Sequence, residues 1–150
     1  MKNIFQLSES EEIIQRINQL KVHTAPLWGK MSVSQMLAHC NVTYEMVFET
    51  KHPKPSPVVR FFLKLFVKNS VVNAVSYPKN SRTAPQFIIS EQKVFEEEKT
   101  RLIIHIQKTQ QLGTDHFEGK ESNSFGKLNS NEWNNMFYKH LDHHLGQFGV

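Results

Sequence analysis

One cysteine, Cys40, stands in 150 residues, so no internal disulfide holds the fold together. Glycine and proline number six each, too few for a collagen-like chain or a Pro/Gly-rich disordered one. No uninterrupted apolar run approaches the roughly twenty residues that span a bilayer. The opening Met1-Lys2-Asn3-Ile4-Phe5-Gln6 lacks the apolar centre of a secretory signal, so a cytoplasmic protein is expected. Charge of one sign is also lacking. The 18 Lys and Arg exceed the 14 Asp and Glu by only four, and the excess is spread along the chain, which argues against nucleic acid as a partner. What remains is an ordinary core-forming composition, 39% hydrophobic, on a chain the length of one domain, 1–150.

Strand-like alternation is nearly absent, and the periodic signals are helical. A first helix is expected after Ser8, with Glu9, Glu11 and Glu12 in its first turn and Ile13, Ile14, Ile17 and Leu20 as its apolar stripe. Ser32 and Gln35 have capping-box spacing, and Met36, Cys40, Tyr44 and Val47 carry a second helix to about Thr50. The closely spaced prolines of His52-Pro53-Lys54-Pro55-Ser56-Pro57 then end it. Val58 to Val67 reads as a short apolar helix edged by Arg60, Lys64 and Lys68. It suits packing across the bundle or a homodimer contact better than a membrane surface or DNA. A long helix is expected from Glu91 to Leu112, capped by Ser90 and stopped by Gly113. The last begins at Asn129, with Glu132 completing a capping box and Leu128 and Trp133 a hydrophobic staple, and runs to about Gln147. Four substantial helices with one long link predict an all-α four-helix bundle whose crossover connection holds a short extra helix. Strands within 70–89 remain an alternative for part of that connection.

Histidine is the residue in excess. There are eight, and His140, His143 and His144 fall within five positions. At about 100° per residue, His144 lies about 40° from His140, with Trp133 and Phe137 about 20° and 60° away. Two imidazoles one turn apart on an inward face can chelate one divalent ion, whereas a single inward histidine is more often a hydrogen-bonded core residue. Leu141 stands where a His-Glu-x-x-His protease would carry its glutamate, which argues against that chemistry. His39 on the second helix and His105 on the third are rival third ligands, and periodicity does not choose between them. Glu98, near the inward face of the third long helix, is a candidate fourth ligand or acceptor behind a ligand. Cys40 is poorly placed for activation by the adjacent His39 and reads as a buried thiol. Trp28 and Trp133 read as packing residues.

The segment Trp28-Gly29-Lys30-Met31-Ser32-Val33-Ser34-Gln35-Met36-Leu37-Ala38-His39 resembles the second-helix motif of a domain-of-unknown-function branch of the DinB-like superfamily. Phe125-Gly126-Lys127-Leu128, Glu132-Trp133 and the run His140 to Phe148 resemble its last-helix signature. The chain departs from that branch at Ser122-Asn123-Ser124, where His-Pro is common, and at Gly146, where Arg is frequent. The resemblance implies a four-helix bundle holding a divalent metal on three histidines, matching His39, His140 and His144, with His143 outside the ligand set. Some members of that superfamily are thiol-dependent transferases or isomerases using low-molecular-weight thiols, and many have no known activity. The leading expectation is a metal-dependent enzyme, a thiol-dependent transferase or a hydrolase, acting on a small-molecule thiol and an electrophile.

Three neutral imidazoles leave coordination positions open, as catalytic sites do and closed structural zinc sites do not. All-nitrogen ligation suits several divalent ions, with zinc or nickel expected first. The competing expectation is a homodimeric bundle that binds metal or a small ligand without catalysis.

Overall fold

The computed structural model describes residues 1–150. It is mostly helical: α1 Leu7–Gln19, α2 Val33–Phe48, α3 Pro57–Phe62, α4 Lys68–Val72, α5 Phe95–Phe117 and α6 Ser130–Gln147. A single π-helical stretch, Leu63–Val67, joins α3 to α4, so the crossover is helical from Pro57 to Val72. The strands considered for 70–89 do not form; that stretch holds only a 3-10 turn, Pro85–Phe87. The one β-pairing is a short antiparallel hairpin, β1 Glu121–Ser122 and β2 Gly126–Lys127, before α6. No helix is long and apolar enough to cross a membrane.

Helices α5 and α6 each pack against both α1 and α2, which occupy opposite corners of the bundle. Residues 20–32 link α1 to α2, a connection long enough for the two helices not to be neighbours. The reason lies in the link itself, which crosses the end of α6: the Leu27 N–H donates to the Gln147 carbonyl at 2.8 Å. Helix α2 is consequently central. From Val33 to Glu45 only Gln35 escapes full burial, as expected of a helix with neighbours all round.

Local chemistry sets most boundaries. Both capping boxes form, Ser32 with Gln35 and Asn129 with Glu132. Helix α1 begins earlier than expected, at Leu7, so Ser8 is inside it and Glu9 alone of the acidic residues occupies the first turn. Its start is set by Asn3, whose side chain accepts from the Phe5 N–H in a turn that buries Ile4 and Phe5. Helix α5 begins later than expected, at Phe95, and Ser90 does not cap it. Phe95 is the first residue there to reach the core, and Glu96, Glu97 and Glu98 then fill the first turn, where the helix dipole favours them. Gly113 breaks the helix at φ +71°, a conformation glycine adopts without steric cost. A further helical turn follows and carries Phe117 into the core, where its ring meets Phe5, Trp133 and Phe137.

The crossover is anchored by its inner side. Leu63 and Val71 pack on the core, Arg60 pairs with Glu121, and Lys68 pairs with Glu132. Two of the three cations read as a basic edge therefore have acidic partners within the chain. Val58, Phe61, Phe62, Leu65 and Phe66 face outward and remain exposed, so only the inner side of the segment packs on the bundle. Its far end is tied to α6. The Asn135 side chain donates to the Val72 carbonyl, and the Lys139 ammonium donates to the carbonyls of Ser70 and Asn73 at 2.9 and 2.8 Å.

Candidate metal centre

Helical spacing builds the site. In α2, His39 and Thr43 are four residues apart and share a face; in α6, His140 and His144 do the same. Because α2 and α6 are neighbours, these faces meet. The three rings lie with centroids 4.5 to 4.9 Å apart, and one nitrogen from each converges with the others within 4.8 Å.

The opposite edge of each ring is held. The His39 Nδ1–H donates to the Phe87 carbonyl at 2.8 Å; a carbonyl only accepts, so His39 presents an Nε2 lone pair. The Gln147 amide donates through Nε2 to the Trp28 carbonyl at 2.7 Å, which turns its Oε1 toward the His144 Nδ1–H at 2.8 Å. His144 thus also presents an Nε2 lone pair. His140 stands between them, its Nε2 2.9 Å from that of His39 and its Nδ1 3.0 Å from the Thr43 hydroxyl. A hydroxyl donates or accepts, so it suits either tautomer of His140. With the proton on Nε2, His140 donates to His39; with the proton on Nδ1, it donates to Thr43 and frees a third lone pair for the shared centre.

Burial keeps the cluster uncharged. It pushes the pKa of His39 down, that of His144 down to about 3, and that of His140 well below the ordinary histidine value, and the neighbouring imidazoles lower the last two further. Neutral rings with outer edges fixed by a carbonyl, an amide and a hydroxyl are what imidazole ligation of a cation requires. The donor set therefore fits one divalent ion.

The cluster lies on the wall of a cavity of about 840 Å³. Helix α2 contributes Met46 and Val47, α6 contributes Met136 and His143, and the crossover closes the far side with Leu63, Val67 and Val71. Ser122, Asn123 and Ser124 also line it. No Asp or Glu does.

The other candidates lie elsewhere. Glu98 accepts from Asn41 at 2.9 Å and from Arg101 at 2.9 Å, while His105 contacts the Asn41 side chain at 3.0 Å and stacks on Tyr44. Both belong to a polar network between α2 and α5, because Asn41 is two residues from His39 and faces the other side of its helix. Neither supports the triad. His143 lies beside the cluster, edge-on to Trp28 and Tyr77. Cys40 is buried within sulfur contact of Met36, and burial raises its pKa. Trp133 packs in the core, and both it and Trp28 line the cavity. The residues missed from sequence are Thr43, Phe87 and Gln147. Thr43 and Gln147 carried a signal, since each lies within four residues of a clustered histidine; Phe87 acts through its carbonyl, for which side-chain identity is silent.

A family model described as a protein of unknown function, DUF1569, matches residues 2–149. The chain belongs to the DUF1569 family. No curated protein and no solved structure matches it. The match spans both ends of this DUF1569 chain's site, from Trp28 and His39 to His144 and Gln147.

Proposed function

We propose that this DUF1569 protein holds one divalent metal ion, zinc or nickel first, on His39, His140 and His144, and uses the adjoining cavity to bind a small molecule for metal-dependent chemistry of the DinB-like kind. The observation that carries this reading is the pair of independently fixed Nε2 lone pairs, on His39 and His144, aimed at a third ring whose hydroxyl partner accepts either tautomer. An ion held there would supply Lewis acidity, which lowers the pKa of a thiol or a water near neutral pH. The remaining work falls to the chain. Phe87, Thr43 and Gln147 orient the three rings. The apolar walls exclude water from the space beside them. His143 is the cavity's remaining imidazole and the group placed to move a proton.

No carboxylate lines the cavity, so His143 is the base available to thiol transfer and to hydrolysis alike. The same absence supports a second reading, a metal- or ligand-binding bundle without turnover. Metal analysis of protein purified without a histidine tag, followed by a turnover assay with a panel of low-molecular-weight thiols and electrophiles, tests both. One ion per chain with turnover supports the enzyme. One ion without turnover supports the binder, and no ion overturns the metal reading.

A further inference from the structure

The cavity's charge pattern says what kind of molecule it takes. Its inner lining is apolar, with Met46, Val47, Leu63, Val67 and Met136 around the neutral histidines. Its exposed rim carries Lys30 and Arg82, and Lys79 lies alongside with its ammonium 4.4 Å from the Trp28 ring centre. None of the three pairs with a carboxylate; the chain's ion pairs lie on α1, on the α2–α5 network and along the crossover. With no Asp or Glu anywhere in the lining, nothing offsets these cations and nothing attracts a cationic ligand. A volume of about 840 Å³ lies within the range of small-molecule sites.

We infer that the cavity binds a small organic anion, its apolar body between the crossover and α2 and its acidic group at Lys30 and Arg82. The inference rests on the cavity being the ligand site, as proposed above, but not on the metal. The rim is exposed, so its attraction is screened and selects the class of ligand more than it sets affinity. The apolar body supplies most of the affinity and runs toward the histidine cluster.

Three molecules with one body test this: 6-phenylhexanoate, 6-phenylhexan-1-ol and 6-phenylhexylamine. The methionines give the readout. Met31, Met46 and Met136 line the cavity, Met36 is in the core and Met1 is at the exposed amino terminus, so methyl NMR separates cavity binding from adhesion elsewhere. Each ligand is titrated into full-length protein at low ionic strength, once as purified and once after chelator treatment. The expected result is movement of the Met31, Met46 and Met136 methyls but not of Met1, with the carboxylate binding about tenfold more tightly than the alcohol and the amine weakest. The preference persists after chelation, and Lys30→Gln with Arg82→Gln reduces the carboxylate to the alcohol's affinity while leaving the alcohol unchanged. Equal binding of carboxylate and amine, no movement of the cavity methyls, or a carboxylate preference intact in the double variant overturns the inference. A preference lost on chelation places the anion on the metal; it contradicts the rim assignment and leaves the metal reading standing. A preference that persists in protein that never takes up metal supports the rim while the metal reading fails.

Discussion

The Nε2 atoms of His39 and His140 lie 2.9 Å apart, and the carbonyl of Phe87 has already claimed the other nitrogen of His39. A single proton, carried by His140, satisfies that contact. Replacing it with a cation requires the proton to move to Nδ1, where the Thr43 hydroxyl waits at 3.0 Å. A metal ion bound there would shift the His140 proton from one ring nitrogen to the other rather than release it.

Thr43 is accordingly the most informative single position outside the three histidines. Thr43→Val keeps the shape of the side chain and removes the acceptor for the His140 Nδ1–H. Metal affinity should fall by about 10–100-fold, the usual cost of losing the partner behind a ligating histidine. Thr43→Ser should restore it. Calorimetric zinc titration of the three proteins checks this, and equal affinities would remove Thr43 from the account.

Gly29 reaches the site through Gln147. Its backbone has φ +83°, and a Cβ there would stand 2.5 Å from the Gln147 Nε2. Gln147 is buried and tied to both Trp28 and His144, so it has little freedom to yield. Gly29→Ala should destabilise the fold by about 1–2 kcal/mol through the left-handed backbone. It should also weaken metal binding by about tenfold through the misplaced amide. Chemical denaturation and metal titration measure the two effects separately.

Lys139 tests the anchoring of the crossover. It is 2% exposed, burial lowers its pKa to about 8, and its ammonium satisfies the Ser70 and Asn73 carbonyls and the Asn73 side chain. Lys139→Met fills the space but strands those acceptors, at a cost of about 1–3 kcal/mol. Hydrogen exchange should quicken across residues 57–73 while α1 and α5 remain protected. Uniform loosening would contradict a local anchor.

Glu45 governs acid stability on the opposite face of α2. Burial alone would raise its pKa, but hydrogen bonds from His52, Lys51 and Arg101 prevail and hold it below the ordinary value of 4.5. A carboxyl with a lowered folded pKa contributes stability that is fully present above its unfolded pKa and is lost as pH falls through the folded one. Glu45→Gln should therefore be less stable than the native protein at neutral pH, with the gap closing below about pH 4. Melting temperatures across pH 3–7 check this; a gap that widens with acid would refute it.

The sequence reveals those parts of the molecule that local chemistry controls. The capping boxes at Ser32 and Asn129, the stripe of α1 and the His140/His144 pair follow from spacing within a single helix. Tertiary relations are different. That α1 and α2 sit diagonally depends on Leu27 crossing the end of α6, a backbone contact no side-chain pattern announces. The start of α5 is decided by where Phe95 meets the core, not by the capping potential of Ser90. His39 and His105 each sit beside an apolar stripe of its own helix, and only the packing of α2 between α5 and α6 sends one to the triad and the other to Asn41. The role of residues 57–73 as a cavity wall is likewise invisible until α6 holds them in place.

X-ray absorption at the zinc edge of the loaded protein tests the central claim most directly, because it counts imidazoles around the ion. Three histidine nitrogens in the native protein, falling to two with weakened binding in His140→Ala, is the predicted result. Fewer than three in the native protein, or a spectrum unaltered by His140→Ala, would show that the cluster of His39, His140 and His144 is not a metal centre.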